Sequence, residues 1–487
     1  MTTNYEQKQS VSQSQLIIIL STALRLVASL ALIMLIGREL PPADFGFYAL
    51  VMTLFVMARE LMDVGSTSLA VREIALQPQQ ERALLETLVG MRVAAGIVLA
   101  IPCLLLAFQQ EDIYQKIILS TVAFSLPFLA YGALGVVYQL RQNLRPPSTI
   151  VLALQYGLLL TCFLLYVLHA PVWAYPAALV ARELLGLLWL KVLAGNTLGY
   201  GITPQFGLEK IRDFLRKAVV VGIAAAMYNL YFYIGPLLIW FLRPAAEMGA
   251  YSSAFRPISQ LLSFPLMLML PLLPVLTQFS KTDPAALRRQ ASSFLPLAIG
   301  SGAIAAVSGW ASSADALFVL YGENYIEGSL SAVVTLKVLS VSVAFSMATA
   351  VVIMFLLAQG LEKLLVLICL AGLIVNLVCN VSLLPAYGFP AAAVATLTTE
   401  ICVFLFGIGT MVHLKVWNVS WPSLLVSFLP ALALAVALYM LPLGFGMPKL
   451  IAVLIFSAIA ILIMLHLPST KKGRDELSRQ AVKAVTS

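Results

Sequence analysis

Fourteen apolar blocks, each of 20 residues or more, follow one another along this chain with only short polar breaks between them. One helical crossing of a bilayer takes about 20 mostly apolar residues, so each block is long enough to be a membrane span. The spans fall at about 16–37, 45–71, 84–108, 117–138, 149–169, 172–194, 219–242, 248–277, 293–315, 333–358, 363–384, 389–413, 421–441 and 447–467. Of the 487 residues 61% are hydrophobic and 11% charged, against roughly 45–50% and 25% in a soluble domain. A membrane barrel would alternate over segments of about ten residues, and a disordered chain would be polar throughout. The sequence therefore predicts an all-α polytopic membrane protein. Its first block contains Arg25 and has no small-residue cleavage site behind it, which makes it span 1 and not a signal peptide.

Basic residues test the count, because they collect on the cytoplasmic loops of membrane proteins. With both termini inside, 20 of the 30 Lys and Arg lie on inside segments, and only Arg38, Lys116, Arg243 and Lys449 lie on outside loops. The other six are within spans. The net charge of +8 thus reports topology and gives no reason to expect nucleic acid as a partner. All five cysteines sit in apolar blocks without a closely spaced pair, as packing residues do. No Gly-rich loop ends in Gly-Lys-Ser/Thr, which argues against ATP hydrolysis, and no cofactor or metal is implied.

The chain also repeats itself. Leu40-Pro41-Pro42-Ala43-Asp44-Phe45-Gly46-Phe47-Tyr48 precedes span 2, and Arg243-Pro244-Ala245-Ala246-Glu247-Met248-Gly249-Ala250-Tyr251 precedes span 8, 203 residues later. Tyr175-Pro176-Ala177-Ala178 opens span 6, and Phe389-Pro390-Ala391-Ala392 opens span 12 at an offset of 214. Six spans separate the members of each pair, an even number, so the repeat is parallel and the substrate path is expected between two lobes. The expected organisation is a six-helix lobe over 1–194, a cytoplasmic amphipathic linker over 195–218, and a second six-helix lobe over 219–413. Two further spans over 414–467 and a basic cytoplasmic tail over 468–487 complete it. The linker, with Lys210, Arg212, Arg216 and Lys217, reads as a helix lying on anionic lipid.

An ionisable residue inside a span is expensive and is a functional candidate by default. Arg25 lies about ten residues into span 1, near mid-membrane, with no acidic residue within a helical turn. Span 2 carries Arg59, Glu60 and Asp63; Arg59 and Asp63 share a face, so an intrahelical ion pair competes with a site role. Arg256 lies near the start of the proline-rich span 8, where Pro257, Pro265, Pro271 and Pro274 remove backbone donors and bend the helix. Arg92 and Lys337 are close enough to span ends to snorkel. Arg182 and Glu183 are adjacent and are not expected to pair along the helix. Glu400 has no basic neighbour on its helix, so its expected partner is a Ser or Thr hydroxyl, with proton exchange as the functional alternative. Glu60, Asp63 and Glu400 are the candidate coupling or ion-pair residues.

The segment Arg38-Glu39-Leu40-Pro41-Pro42-Ala43-Asp44-Phe45-Gly46-Phe47-Tyr48, with Asp63-Val64-Gly65 and Val71-Arg72-Glu73 after it, resembles the opening of polysaccharide-biosynthesis membrane proteins. These are the Wzx-type oligosaccharide flippases of the multidrug/oligosaccharidyl-lipid/polysaccharide exporter superfamily. The resemblance implies two six-helix lobes with two extra helices. It also implies passage of an undecaprenyl-diphosphate-linked oligosaccharide from the inner to the outer leaflet of a bacterial plasma membrane by alternating access. Arginines on spans 1, 2 and 8 line a cationic cavity in related flippases, which points to Arg25, Arg59 and Arg256 here. Guanidinium suits a diphosphate because it is always charged and binds phosphate through paired hydrogen bonds. The implied partners are the lipid-linked oligosaccharide, membrane lipids, and polysaccharide polymerase and export machinery for exopolysaccharide, capsule or O-antigen.

Two rival readings come from the same sequence: a multidrug exporter of the superfamily, which usually has acidic cation sites in its first lobe, and a polymerase, ligase or non-transporting assembly component. An enzyme of that kind needs a sizeable outside loop for its catalytic residues, and no outside loop here exceeds about 20 residues. The topology is testable directly. Reporter fusions at Ser487 and at Gly322 should read opposite sides of the membrane; the same side would refute the count of fourteen.

Overall fold

The computed structural model describes residue 21 and residues 24–465, apart from 142, 144, 270–271, 418–420 and 442–443. The first residues of span 1 and the basic tail 468–487 lie outside the described residues. Where the fourteen expected spans fall on described residues, their backbone is largely helical. The helices are α1 (24–39), α2 (Pro42–Asp63), α3 (Ser66–Leu76), α4 (Glu81–Phe108), α5 (Ile113–Ser125), α6 (Gly135–Leu140), α7 (Arg145–Val167), α8 (Ala174–Leu198) and α9 (Leu208–Leu242). They continue with α10 (Ala245–Met269), α11 (Leu273–Thr282), α12 (Pro284–Ala311), α13 (Ser313–Tyr321), α14 (Val333–Ala358), α15 (Glu362–Tyr387), α16 (Pro390–His413), α17 (Trp421–Met440) and α18 (Met447–Leu465). Eleven helical segments among the described residues are long and apolar enough to cross a membrane. The other three expected spans are α1, described only from residue 24 onward, α8 with Arg182, Glu183 and Lys191, and α10 with Arg256.

Several spans are interrupted, and local chemistry says where. Span 2 breaks between α2 and α3 at Val64 and Gly65, both left-handed at φ 35° and 77°. Span 4 passes from α5 into a 3₁₀ stretch, Leu126–Leu134, that starts beside Pro127 and continues into α6. The described parts of the proline-rich span 8 are α10, to Met269, and α11, from Leu273. The linker departs from expectation: residues 201–207 are non-helical, and the basic stretch from Leu208 is the first part of the 35-residue α9 itself. Nothing between Leu208 and the apolar run breaks a helix, so the two are continuous, and Pro236 alone interrupts the donors.

The chain divides into two compact units, 1–230 and 231–487, the division falling inside α9. In unit 1 the apolar face of α2, with Phe45, Phe47, Leu50, Val51 and Phe55, is buried. Gly96 of α4 backs directly onto Leu126 and Pro127, where an added Cβ would lie 2.7 Å from the Pro127 Cα. In unit 2 the central element is α14. Its mean hydropathy of 2.4 extends all round the helix and 72% of its apolar window is buried, as expected for a helix surrounded by protein. The helices α17 and α18 pack on α12 through Ile304, Ala431, Leu434, Ala460 and Met464. Their other faces present Leu425, Leu432, Leu454 and Ile455 outward, to where lipid tails would lie.

The break in span 2 depends on two glycines. Gly65 and Gly222 of α9 meet backbone to backbone: a Cβ on Gly222 would lie 2.0 Å from the Gly65 Cα, and one on Gly65 would lie 2.4 Å from the Gly222 Cα. Gly65→Ala also forces a side chain into the left-handed region, which by itself costs about 1–3 kcal/mol. Thermal melts of purified protein should show Gly65→Ala and Gly222→Ala clearly destabilised. Gly201→Ala, where a Cβ meets open space, should melt within a degree or two of wild type.

Candidate functional site

In unit 1 the last two turns of α2 carry three ionisable residues to three different neighbours. Arg59 donates from one guanidinium nitrogen to Glu183 of α8, and Arg182 donates to the other oxygen of the same carboxylate. Arg182 also reaches the Gln155 amide oxygen of α7 at 3.3 Å. Glu60 accepts from the Asn229 amide of α9 at 2.9 Å. Asp63 pairs with Arg92 of α4, a side chain buried to 7% exposure. Asp63 further accepts the Thr67 backbone N–H (2.9 Å) and the Ser66 and Thr67 hydroxyls (3.0 and 2.9 Å). Arg92 in turn donates to both of those hydroxyls, at 2.8 and 2.7 Å. The Asp63 carboxylate thus satisfies donors at the start of α3, which the break in span 2 exposes.

Three sequence expectations are corrected here. Arg59 and Asp63 do not pair with each other; each finds its partner on another helix. Arg92 does not snorkel, because Asp63, Ser66 and Thr67 meet it inside the protein. Arg182 and Glu183, although adjacent, do pair, since a long arginine can fold back to a neighbour's carboxylate that also holds Arg59. Arg59, Arg92 and Arg182 balance Glu60, Asp63 and Glu183 in formal charge. The Arg59 side chain nevertheless keeps 47% of its surface, with further N–H groups turned outward. Arg25 is exposed and carries no hydrogen bond or ion pair among the described residues.

Unit 2 holds a different polar cluster. Glu400 of α16 is fully buried and accepts the Tyr231 hydroxyl at 2.5 Å. Tyrosine, and not the expected Ser or Thr, is its partner, because α9 presents Tyr231 at that depth. Beside it Asn376 donates to the Thr399 hydroxyl at 3.1 Å, and Asn380 donates to the Asn376 side-chain and backbone oxygens at 2.9 and 2.8 Å. Glu400 Oε2 and Asn380 Oδ1 have no hydrogen-bond partner among the described residues. Arg256 is half-buried on α10, within electrostatic reach of Tyr321. Lys337 lies over the Trp310 ring, its ammonium 5.5 Å from the ring centroid. Asp315 pairs with Lys449 at 2.9 Å and accepts the Gly446 N–H at 2.8 Å, joining α13 to the start of α18. The uncharged members Gln155, Asn229, Asn376 and Asn380 escaped a reading confined to ionisable residues; an amide inside an apolar block was the signal that could have found them. Among the described residues, no group of three or more His, Cys, Asp or Glu could hold a metal.

A model of the polysaccharide biosynthesis protein family matches residues 11–280, more than half of the chain. The chain belongs to that family. An uncharacterized membrane protein of Methanocaldococcus jannaschii is 27% identical over 208 residues. That alignment covers 42% of this chain and spans about half, 46%, of the relative. Among solved structures, the lipid II flippase MurJ in an inward closed conformation superposes with a TM-score of 0.75 at 12% identity, over 95% of this chain and 99% of that one. The Vibrio cholerae MATE transporter VcmN superposes at 0.53 with 14% identity, over 85% and 99%. This member of the polysaccharide biosynthesis protein family is therefore a multi-pass membrane protein with a MurJ/MATE-like fold.

The Asp63–Arg92 pair is testable by a double-mutant cycle. Asp63→Asn leaves a buried guanidinium without its counter-charge and Arg92→Gln leaves the carboxylate without its own. The double variant removes both, so it should melt well above the sum of the two losses, with a coupling of about 1–3 kcal/mol. Additive losses would mean that the two residues do not interact.

Proposed function

We propose that this protein moves a polyprenyl-diphosphate-linked oligosaccharide from the inner to the outer leaflet of a bacterial plasma membrane by alternating access, supplying exopolysaccharide, capsule or O-antigen assembly. Membership of the polysaccharide biosynthesis family carries the reading. Both termini are cytoplasmic in this reading, on the strength of the basic-residue bias. The two lobes with their linker, two extra spans and basic tail form the transport unit. The substrate is a diphosphate anion with a long apolar tail, and the protein's task is to hold that anion where lipid cannot.

Arg25, Arg59 and Arg256 are the proposed diphosphate ligands, with Arg25 first among them because no carboxylate among the described residues competes for it. Arg59 offers the donors that Glu183 leaves unused. Glu400, Glu60 and Asp63 are the proposed coupling or ion-pair residues, and the second oxygen of Glu400 is buried without a hydrogen-bond partner among the described residues. Polymerase and export proteins are the proposed partners on the product side. A multidrug exporter is the second reading, favoured by the MATE likeness, and the same assay with an organic cation tests it.

The decisive experiment is transport of labelled lipid-linked sugar in sealed vesicles containing only this protein. Accumulation in the opposite leaflet is expected; transport of the cation alone would replace this reading with the second. Arg25→Ala should abolish polymer export at unchanged protein abundance. Arg25→Lys should restore it in part, since an ammonium keeps the charge without the two-pronged hydrogen bonding. Full export by Arg25→Ala would remove this residue from the site.

A further inference from the structure

The two repeats use one position in opposite ways. In unit 2, Glu247 opens α10 and is held by Arg243 one turn earlier, at 2.7 Å. The same carboxylate accepts the Phe389 N–H at 2.9 Å, closing the start of α16. Arg243 also donates to the Pro385 carbonyl at 3.3 Å. The cluster is complete: a carboxylate, a guanidinium and a helix start.

In unit 1 the matching carboxylate is Asp44, at the start of α2, and the residue matching Arg243 is Leu40. The guanidinium is gone. The N–H that matches Phe389, that of Tyr175, turns instead to the Val172 carbonyl at 3.3 Å. Asp44 has no basic partner among the described residues, and lines a cavity of about 130 Å³ with Phe47, Asp112, Tyr114, Trp173 and Pro176. Asp112 accepts the Tyr114 N–H on one oxygen at 2.9 Å, and its other oxygen has no hydrogen-bond partner among the described residues. The Tyr114 and Trp173 rings lie parallel, 4° apart with centroids 5.5 Å apart. Both keep a free surface, 49% and 41%.

We propose that this cavity binds an organic ammonium group, such as that of an amino sugar, in the place where the second repeat keeps its own arginine. Two carboxylates supply the counter-charge, and the stacked indole and phenol faces attract a cation and pack against a sugar ring. An interfacial aromatic belt would account for Tyr114 and Trp173 taken singly. It does not account for two acids beside them that have no ion-pair partner among the described residues. The charge bias assigns this end to the outside, so the ligand is met on the far side of the membrane from the basic loops. The amino-sugar member of the class rests on the flippase reading, whereas binding of an ammonium group does not.

The test is a titration of purified protein in lipid nanodiscs at neutral pH and fixed ionic strength, following tryptophan fluorescence, with Trp173→Phe as the signal control. Glucosamine should give a saturable change that Trp173→Phe lacks, and glucose should give none. Asp44→Asn should weaken glucosamine at least tenfold. Leu40→Arg, which restores the arginine of the second repeat, should block it. Equal responses to glucose and glucosamine, or unchanged affinity in Asp44→Asn, would overturn the proposal. Because the titration measures binding alone, intact binding with absent transport would count against the flippase reading and leave this site standing.

Discussion

The ion pair between Asp63 and Arg92 is the contact around which the first unit is arranged. A helix cannot break inside a membrane unless something satisfies the backbone groups it frees. Asp63 does so at the start of α3, but a carboxylate at that depth needs a counter-charge, and Arg92 supplies it. Arg92 in turn is buried and needs more acceptors than one carboxylate offers, and the Ser66 and Thr67 hydroxyls provide them. The break leaves Gly65 in the left-handed region, and the close approach of Gly222 is possible only because neither residue has a side chain. Six residues, drawn from α2, α3, α4 and α9 and the break between the first two, therefore stand or fall together.

That dependence sorts the other intramembrane charges. Arg182, Glu183 and Asp315 are tied to neighbours and hold helices in place. Arg59 is tied through one nitrogen, and Arg25 has no hydrogen bond or ion pair among the described residues. An arginine already closed by a carboxylate would have to give up that pair to bind a phosphate, and the lost interaction would subtract from affinity. One without a partner gives up only solvent. The ranking of Arg25 above Arg59 follows from this, independently of depth in the membrane.

The helical plan was legible because length and hydropathy fix it: a 20-residue apolar run has few alternatives in a bilayer. The side-chain partners were not. Spacing along one helix suggested Arg59 with Asp63, yet both partners came from other helices, which periodicity along a single element cannot register. The break at Val64-Gly65 left a trace in Asp63-Val64-Gly65-Ser66-Thr67, a carboxylate, a glycine and two hydroxyls in a row. Arg92 lies 29 residues from Asp63, and only the packing of α4 against the break makes its burial understandable. The basic stretch from Leu208 has a simpler explanation: a change from apolar to charged residues does not end a helix, and α9 runs unbroken from Leu208 to Leu242.

Repetition explains what remains. Within each unit the two repeated motifs meet, Asp44 sharing a cavity with Pro176, and Glu247 bonded to Phe389. The backbone arrangement therefore survived the divergence of the two halves, while the charges around it changed. Where Arg243 is kept, the carboxylate is consumed in holding two helix starts together. Leucine at position 40 frees the matching carboxylate from that duty, and the Tyr175 N–H finds a local carbonyl, so α8 begins correctly without it. A position relieved of a structural role in one repeat, with its acid retained, is where a duplicated fold has room for a new ligand at little cost to its stability.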